Sequence, residues 1–210
     1  MILKVCGITN PEDAAAALAA GATAIGFNFY PRSPRYIAPE AAAAIATPGA
    51  RRVGVFVDES PARIAEIARI AALDTAQLHG DELPADYPAH LKVWKAVRVT
   101  EGFLLDRYRD LPCEALLLDG PADELYGGSG RTFDWSLAAA AGLRIILAGG
   151  LDADNVARAI AIANPWGVDA CSRIESAPGI KDRQKMHDYL QAAVAQASGL
   201  HPANQPGAHV

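Results

Sequence analysis

Cys6, Asp119, Arg35 and the pair Gly149-Gly150 are the residues of this chain whose types suit chemistry. A thiol and a carboxyl can act as base and acid when their environments push their pKa values apart. A guanidinium recognises a carboxylate through two parallel hydrogen bonds. Paired glycines let a backbone approach a phosphate closely, and a helix start beyond them attracts anions. Each feature also has an ordinary explanation. Free cysteine is among the most buried residue types, an aspartate after a strand often caps a helix, and paired glycines serve tight turns. An arginine in a polar loop commonly faces solvent. Taken singly, these residues favour the ordinary explanation, so the elements that position them decide.

Short β-branched runs alternate with Ala-rich segments along the whole chain. Strands are expected at 2–6, 23–29, 52–57, 75–79, 92–97, 114–119, 143–148 and 167–171. Helical patterns fill 11–20, 39–46, 61–72, 83–89, 101–109, 134–141, 152–163 and 181–197. Asn10, Ser60, Asp134 and Asp152 suit N-caps, with Pro11 and Pro61 in the first helical position. Strand and helix alternating in this way means parallel strands joined by crossovers. At this length the expected fold is α/β, a single (β/α)8 TIM barrel with a parallel eight-stranded core. It would span 1–198, with the Pro/Gly-rich segment 199–210 as a frayed tail. An open doubly wound sheet is the alternative. Such sheets often carry G-x-G-x-x-G after the first strand, where this chain has "CGITNP".

Composition narrows the function classes. Of 210 residues, 51% are apolar and 20% charged, which reads as a globular chain. A net charge of -5 and the absence of basic clusters argue against nucleic acid. No apolar run is long enough to span a bilayer, so no membrane partner is expected. Three widely spaced cysteines make disulfides improbable and a reducing cytoplasm the default. No metal-ligand spacing is present.

In a barrel of this kind, function gathers at the C-terminal ends of the strands. Here those ends carry Cys6, Asn28, Asp58, His79, Val97 and Asp119, then Gly149-Gly150 and Cys171-Ser172. Strand alternation turns Leu3 and Val5 outward and Lys4 and Cys6 inward. It likewise turns Leu116 and Leu118 outward and Leu117 and Asp119 inward. Cys6 and Asp119 then face each other across the mouth as an acid–base pair. Glycines after the seventh strand fall where barrels usually hold phosphate. Arg32 and Arg35 lie on a proline-stiffened loop, "FYPRSPRYI". "YGGSGRTFDW", 126–135, could cover the site.

These stretches occur together and in order: "KVCGITNPEDA", "GFNFYPRSPRYI", "VGVFV", "QLHGDE", "LLLDG", "GGSGRTFDW", "LAGGLDADNV" and "APGIKD". In them the chain resembles the phosphoribosylanthranilate isomerase family of tryptophan biosynthesis, from about Lys4 to Asp182. The resemblance implies an Amadori rearrangement of a small phosphoribosyl substrate, with no cofactor and no metal. It implies that Cys6 is the general base, Asp119 the general acid, and Arg35 the arginine that meets the anthranilate carboxylate. An ionised Cys6 needs a cationic neighbour. Lys4 is the candidate, with Asp169 as its expected partner from the adjacent eighth strand.

Substrate contacts are expected at Arg35, Asp169, Gly149, Gly150, Ser172 and Arg173. The family usually reads "DVSSGVE" along and after strand 8, whereas this chain reads "DACSRIE". Cys171 replaces a serine, and a buried structural thiol is expected there. Arg173 replaces a glycine at the phosphate end. It would either strain the loop, contact the phosphate or face solvent. Two alternatives differ in class. The aminoaldose isomerase of histidine biosynthesis, or a bifunctional enzyme, would carry an aspartate where this chain has Cys6. A non-catalytic phosphosugar-binding barrel would have lost part of the set Cys6, Asp119 and Arg35. A monomer and a homodimer both fit the sequence.

Overall fold

The computed structural model describes residues 1–120, 132–139 and 142–199. Eight parallel strands close into a barrel in chain order. They are β1 (Ile2–Cys6), β2 (Ala24–Asn28), β3 (Arg51–Phe56), β4 (Thr75–Leu78), β5 (Lys92–Arg98), β6 (Ala115–Asp119), β7 (Ile145–Leu147) and β8 (Gly167–Ala170). β8 closes on β1 with Asp169 opposite Lys4 and Ala170 opposite Val5. That register places the Lys4 and Asp169 side chains on one face.

The helices are α1 (Pro11–Ala19), α2 (Pro39–Ala44), α3 (Pro61–Ala71), α4 (Val156–Ala163) and α5 (Arg183–Gly199). Asn10 caps α1 by accepting from the Asp13 amide at 2.8 Å, and Ser60 caps α3 by accepting from Arg63 at 3.3 Å. Both helices then begin on proline, whose fixed φ suits that position.

The crossovers after β4, β5 and β6 depart from expectation. Short 3-10 turns, 84–86, 105–108 and 135–138, stand where helices were expected. Pro84 and Pro88 interrupt the first. In the second, Leu105, Tyr108 and Leu111 pack on the core at a spacing of three, which suits a 3-10 turn. α4 starts four residues later than expected, with Asn155 as its cap. Asp152 instead shapes the preceding turn, its carboxylate accepting from the Asp154 amide at 3.1 Å.

Two apolar layers result. Leu3, Val5, Phe27, Leu116 and Leu118 face the helices. Ala24, Val53, Trp94, Ala96, Leu117 and Ile146 fill the barrel interior. Trp94 plugs its lower end, edge-on to Trp166 at 5.8 Å, and its indole N–H donates to Glu114 at 2.9 Å. The strand orientations expected from alternation are therefore the observed ones. After β8 a small antiparallel hairpin, β9 (Glu175–Ala177) and β10 (Ile180–Lys181), folds back toward the barrel. The Thr9 hydroxyl donates to the Gly179 carbonyl at 2.5 Å, and the Lys181 amide donates to Asp13 at 2.8 Å. These bonds tie the hairpin to the β1–α1 segment. Residues 126–131 of the proposed covering loop, and the tail from 200 onward, lie outside the described residues.

Candidate active site

A cleft of about 740 Å³ opens at the C-terminal ends of the strands. Cys6, Arg35, Asp119, Asp169, Gly149, Gly150, Ser172 and Arg173 all line it. The fold thus gathers every expected site residue into one cavity.

Cys6 ends β1 and is buried. Beneath it Lys4 is wholly buried, and its ammonium meets the Asp169 carboxylate at 2.7 Å. Burial alone would lower the lysine's pKa, but Asp169 outweighs it and the pKa rises. Burial also pushes Asp169 up to about 7, against the pull of Lys4. Space for this arrangement comes from β2. A Cβ on Gly26 would lie 2.9 Å from the Cys6 sulfur and 3.0 Å from the Lys4 nitrogen.

A second ion-pair group stands on the other side of the thiol. Arg35 grips Glu175 through Nε, at 3.0 and 3.1 Å, and through Nη2, at 2.8 Å. Lys181 donates to the same carboxylate at 2.8 Å. Burial would raise Glu175, but Arg35 and Lys181 hold it below the usual carboxylate range. Cys171 lies between the two groups. Its sulfur is 4.0 Å from Lys181 Nζ and 3.9 Å from Glu175 Oε1.

Around Cys6, then, three cations (Lys4, Arg35, Lys181) meet two carboxylates (Asp169, Glu175). The ammonium groups of Lys4 and Lys181 favour the thiolate form of Cys6. The Cys6 thiol accordingly sits well below the ordinary thiol range. A hydrogen bond from Cys171 contributes most, and Lys4 and Lys181 add to it against the cost of burial. Neither Glu175 nor Lys181 was expected as a site residue. The signal was a Glu and a Lys six positions apart around Pro178-Gly179, a turn that returns the chain to the cavity. Cys171 was expected to be a buried structural thiol. It is instead partly exposed and lines the cleft together with Cys6.

Asp119 ends β6 on the far wall. His79 Nε2 approaches its Oδ2 at 3.3 Å. The Gln77 side-chain amide meets His79 Nδ1 at 3.3 Å. With Gln77 donating there, a neutral ring carries its proton on Nε2 and donates to Asp119. Gly149, with φ of +80°, approaches this carboxylate from β7. A Cβ there would lie 2.3 Å from the Gly120 amide nitrogen and 2.7 Å from Asp119 Oδ1. The glycine therefore shapes the surroundings of the Asp119 carboxylate. Asn28 organises the arginine loop, accepting from the Tyr30 amide at 2.9 Å and donating to Ser33 at 3.1 Å.

Arg173 belongs to a 3-10 turn, 172–174, and is absent from the described non-glycine residues with positive φ. The expected loop strain therefore does not arise. Its guanidinium lies 3.5 Å from Asp152 at the rim. Asp58 turns away from the cavity and accepts from the Asp81 amide at 2.7 Å. Val97 packs outward. Cys113 is partly buried beside the helix layer, and burial pushes its thiol up.

A closed parallel barrel with a thiol of lowered pKa and a carboxyl lining one arginine-rimmed mouth defines an enzyme of the (β/α)8 class. The family described as N-(5'-phosphoribosyl)anthranilate (PRA) isomerase matches residues 3–192. The chain belongs to the phosphoribosylanthranilate isomerase family. Its relative from Solibacter usitatus, an N-(5'-phosphoribosyl)anthranilate isomerase, is 73% identical over 195 residues, 93% of this chain and 98% of that one. The crystal structure of phosphoribosyl anthranilate isomerase from Thermus thermophilus superposes with a TM-score of 0.85 at 38% identity, covering 93% of this chain and 99% of that one. A further solved isomerase, in complex with reduced 1-(o-carboxyphenylamino)-1-deoxyribulose 5-phosphate, gives a TM-score of 0.81 at 37% identity. That match covers 93% of this chain and 100% of the other.

Proposed function

We propose that the barrel 1–198 carries out the family's Amadori rearrangement with Cys6 as base and Asp119 as acid. The substrate is N-(5'-phosphoribosyl)anthranilate and the product 1-(o-carboxyphenylamino)-1-deoxyribulose 5-phosphate. The supporting observation is the placement of an ionised thiol and a carboxyl on opposite walls of one cavity. Asp119 gives a proton to the ribose ring oxygen. The ring opens to an iminium ion, which acidifies the neighbouring C–H. The Cys6 thiolate takes that proton, leaving an enolamine that tautomerises to the ketone. Each step is a proton transfer or a bond shift within one molecule, so these side chains suffice.

The remaining residues bind. Arg35 already uses Nε and Nη2 on Glu175, which leaves Nη1 to face the anthranilate carboxylate. Asp169 Oδ1 has no hydrogen-bond partner among the described residues and is assigned to a ribose hydroxyl. Gly149, Gly150, Ser172 and Arg173 hold the phosphate at the β7–β8 rim. Three free cysteines suit a reducing cytoplasm. No helix of the described residues is long and apolar enough to cross a membrane. Monomer and homodimer both leave this intrachain site complete.

The direct test supplies phosphoribosylanthranilate and follows loss of its fluorescence. Wild-type protein turns it over. Cys6→Ser and Asp119→Asn each lose about 10²–10⁴-fold in kcat, the usual worth of a positioned proton transfer. Full activity in either folded variant reassigns that role, and an inactive folded wild type removes the isomerase reading.

A further inference from the structure

Cys171 is the site feature that the rearrangement does not use, and it stands where the family usually has serine. β1 and β8 are paired as far as Val5 opposite Ala170, and Cys6 and Cys171 are the residues that follow on these two neighbouring strands. Strands in a sheet lie about 4.8 Å apart. That spacing falls inside the Cα separation a disulfide tolerates, about 4.4–6.8 Å. Both side chains line the same cleft. An oxidant that enters the cavity therefore reaches both sulfurs.

We propose that Cys6 and Cys171 form a reversible oxidation site, in which a hydroperoxide converts the Cys6 thiolate to a sulfenic acid and Cys171 closes it to a disulfide. In the first step the thiolate attacks the near peroxide oxygen. The O–O bond breaks, and the departing alkoxide or hydroxide takes a proton to leave as alcohol or water. In the second, the Cys171 sulfur attacks the Cys6 sulfur, the S–O bond breaks, and the Cys171 proton leaves with the hydroxide as water. The peroxide is reduced by two electrons, which the two thiols supply. A dithiol reverses the change.

The environment fits a sensor thiol and its resolving partner: a lowered thiol pKa, an open cleft, and a second thiol lining it. Glu175 Oε1, 3.9 Å from the Cys171 sulfur, can relay the Cys171 proton to the departing hydroxide as the second bond forms. Lys181 and Arg35 stabilise the attacking sulfur. Serine at 171 would preserve a hydrogen bond to Cys6 but could not close the bridge. The site also protects the base, because a disulfide shields a sulfenic acid from the irreversible sulfinic and sulfonic states.

The test uses intact wild-type protein, hydrogen peroxide as the oxidant, and mass spectrometry after alkylation. A Cys113→Ser background removes the third thiol. The expected product has lost two hydrogens, yields a Cys6–Cys171 cross-linked peptide, and returns to full alkylation with dithiothreitol. Isomerase activity falls by about 10²–10⁴-fold, the worth of the base, and returns with the reductant. Cys171→Ser under the same peroxide should gain oxygen at Cys6, with no cross-link and incomplete recovery. Wild-type protein that gains oxygen at Cys6 without a cross-link, or keeps both thiols alkylatable, overturns the proposal. The mass readout does not depend on the assigned reaction. A cross-link without loss of turnover would keep the oxidation site and remove Cys6 as base.

Discussion

On the β1–β8 wall, Lys4, Asp169, Arg35, Glu175 and Lys181 surround the Cys6 thiol in interlocked ion pairs. Across the mouth, Asp119 faces the His79 imidazole at 3.3 Å. The contrast fits what each group must do in the proposed reaction, with Cys6 as base and Asp119 as acid. A thiol base has to be ionised before substrate arrives, so permanent charges hold it there. An acid must carry a proton into the reaction and recover it after each turnover. A fixed cation beside such an acid would favour its ionised form and spoil it for that task. An imidazole can donate to the carboxylate and still let the proton return. Removing charges from the dense wall should therefore move the pH dependence of Cys6 in directions set by the sign removed.

The largest effect is expected from Lys4→Met. The change leaves Asp169 unpaired in the barrel interior, and breaking a buried pair typically costs about 3–5 kcal/mol. Burial already raises Asp169 to about 7 with Lys4 present. Without the lysine it rises further. A carboxyl raised in the folded state binds its proton more tightly there than in the unfolded chain. Stability contributed that way is complete below the ordinary carboxylate range and is lost as pH rises toward the folded pKa. The variant should thus weaken with pH by up to about 1.4 kcal/mol per unit above pH 4. Urea denaturation at pH 5 and pH 8 checks this, and equal penalties at both would refute the pairing. The same variant should move the acid limb of Cys6 alkylation, and of kcat/KM, to higher pH.

Glu175→Gln should act in the opposite sense on the thiol. It removes a negative charge and leaves Arg35 and Lys181 near Cys6 without their counter-charge. Cys6 should then ionise at still lower pH, because Lys181 already favours its thiolate. Arg35 also loses the carboxylate that fixes its Nε and Nη2 edge. KM should rise about tenfold, equivalent to about 1.4 kcal/mol, with a smaller change in kcat. Iodoacetamide alkylation against pH and steady-state kinetics read the two effects separately. A limb that moves up in both variants would mean that burial, rather than the charge balance, sets the thiol.

The dense wall was only half legible in the sequence. Period-two alternation put Lys4 and Cys6 inward, and closure of the barrel put β8 beside β1, so the Lys4–Asp169 pair followed from topology alone. Leu117 and Asp119 were oriented by the same rule. Glu175 and Lys181 were not legible, because two strands of three and two residues carry too little pattern to show that they fold back over the mouth. Gly26 was equally silent. Its reason lies in Lys4 and Cys6 on a neighbouring strand, not in its own neighbours. The crossovers after β4, β5 and β6 were misread as helices because their apolar spacing of three also fits a helical face. Prolines in the first of them carried the contrary signal.

The smallest effect is expected at the rim, where the two walls meet the phosphate end. Arg173 replaces a family glycine, yet its backbone is unstrained and its side chain is half exposed beside Asp152. Half-exposed charges act through a screened field, so a contact to phosphate there should contribute modestly. Arg173→Gly should raise KM about fivefold, roughly 1 kcal/mol, and leave kcat unchanged. Raising the salt concentration should shrink the difference between variant and wild type. An unchanged KM at low salt would return the phosphate to Gly149, Gly150 and Ser172. Either result would leave the pH dependence of Cys6 to Cys171, Lys4 and Lys181, the groups that lower its pKa.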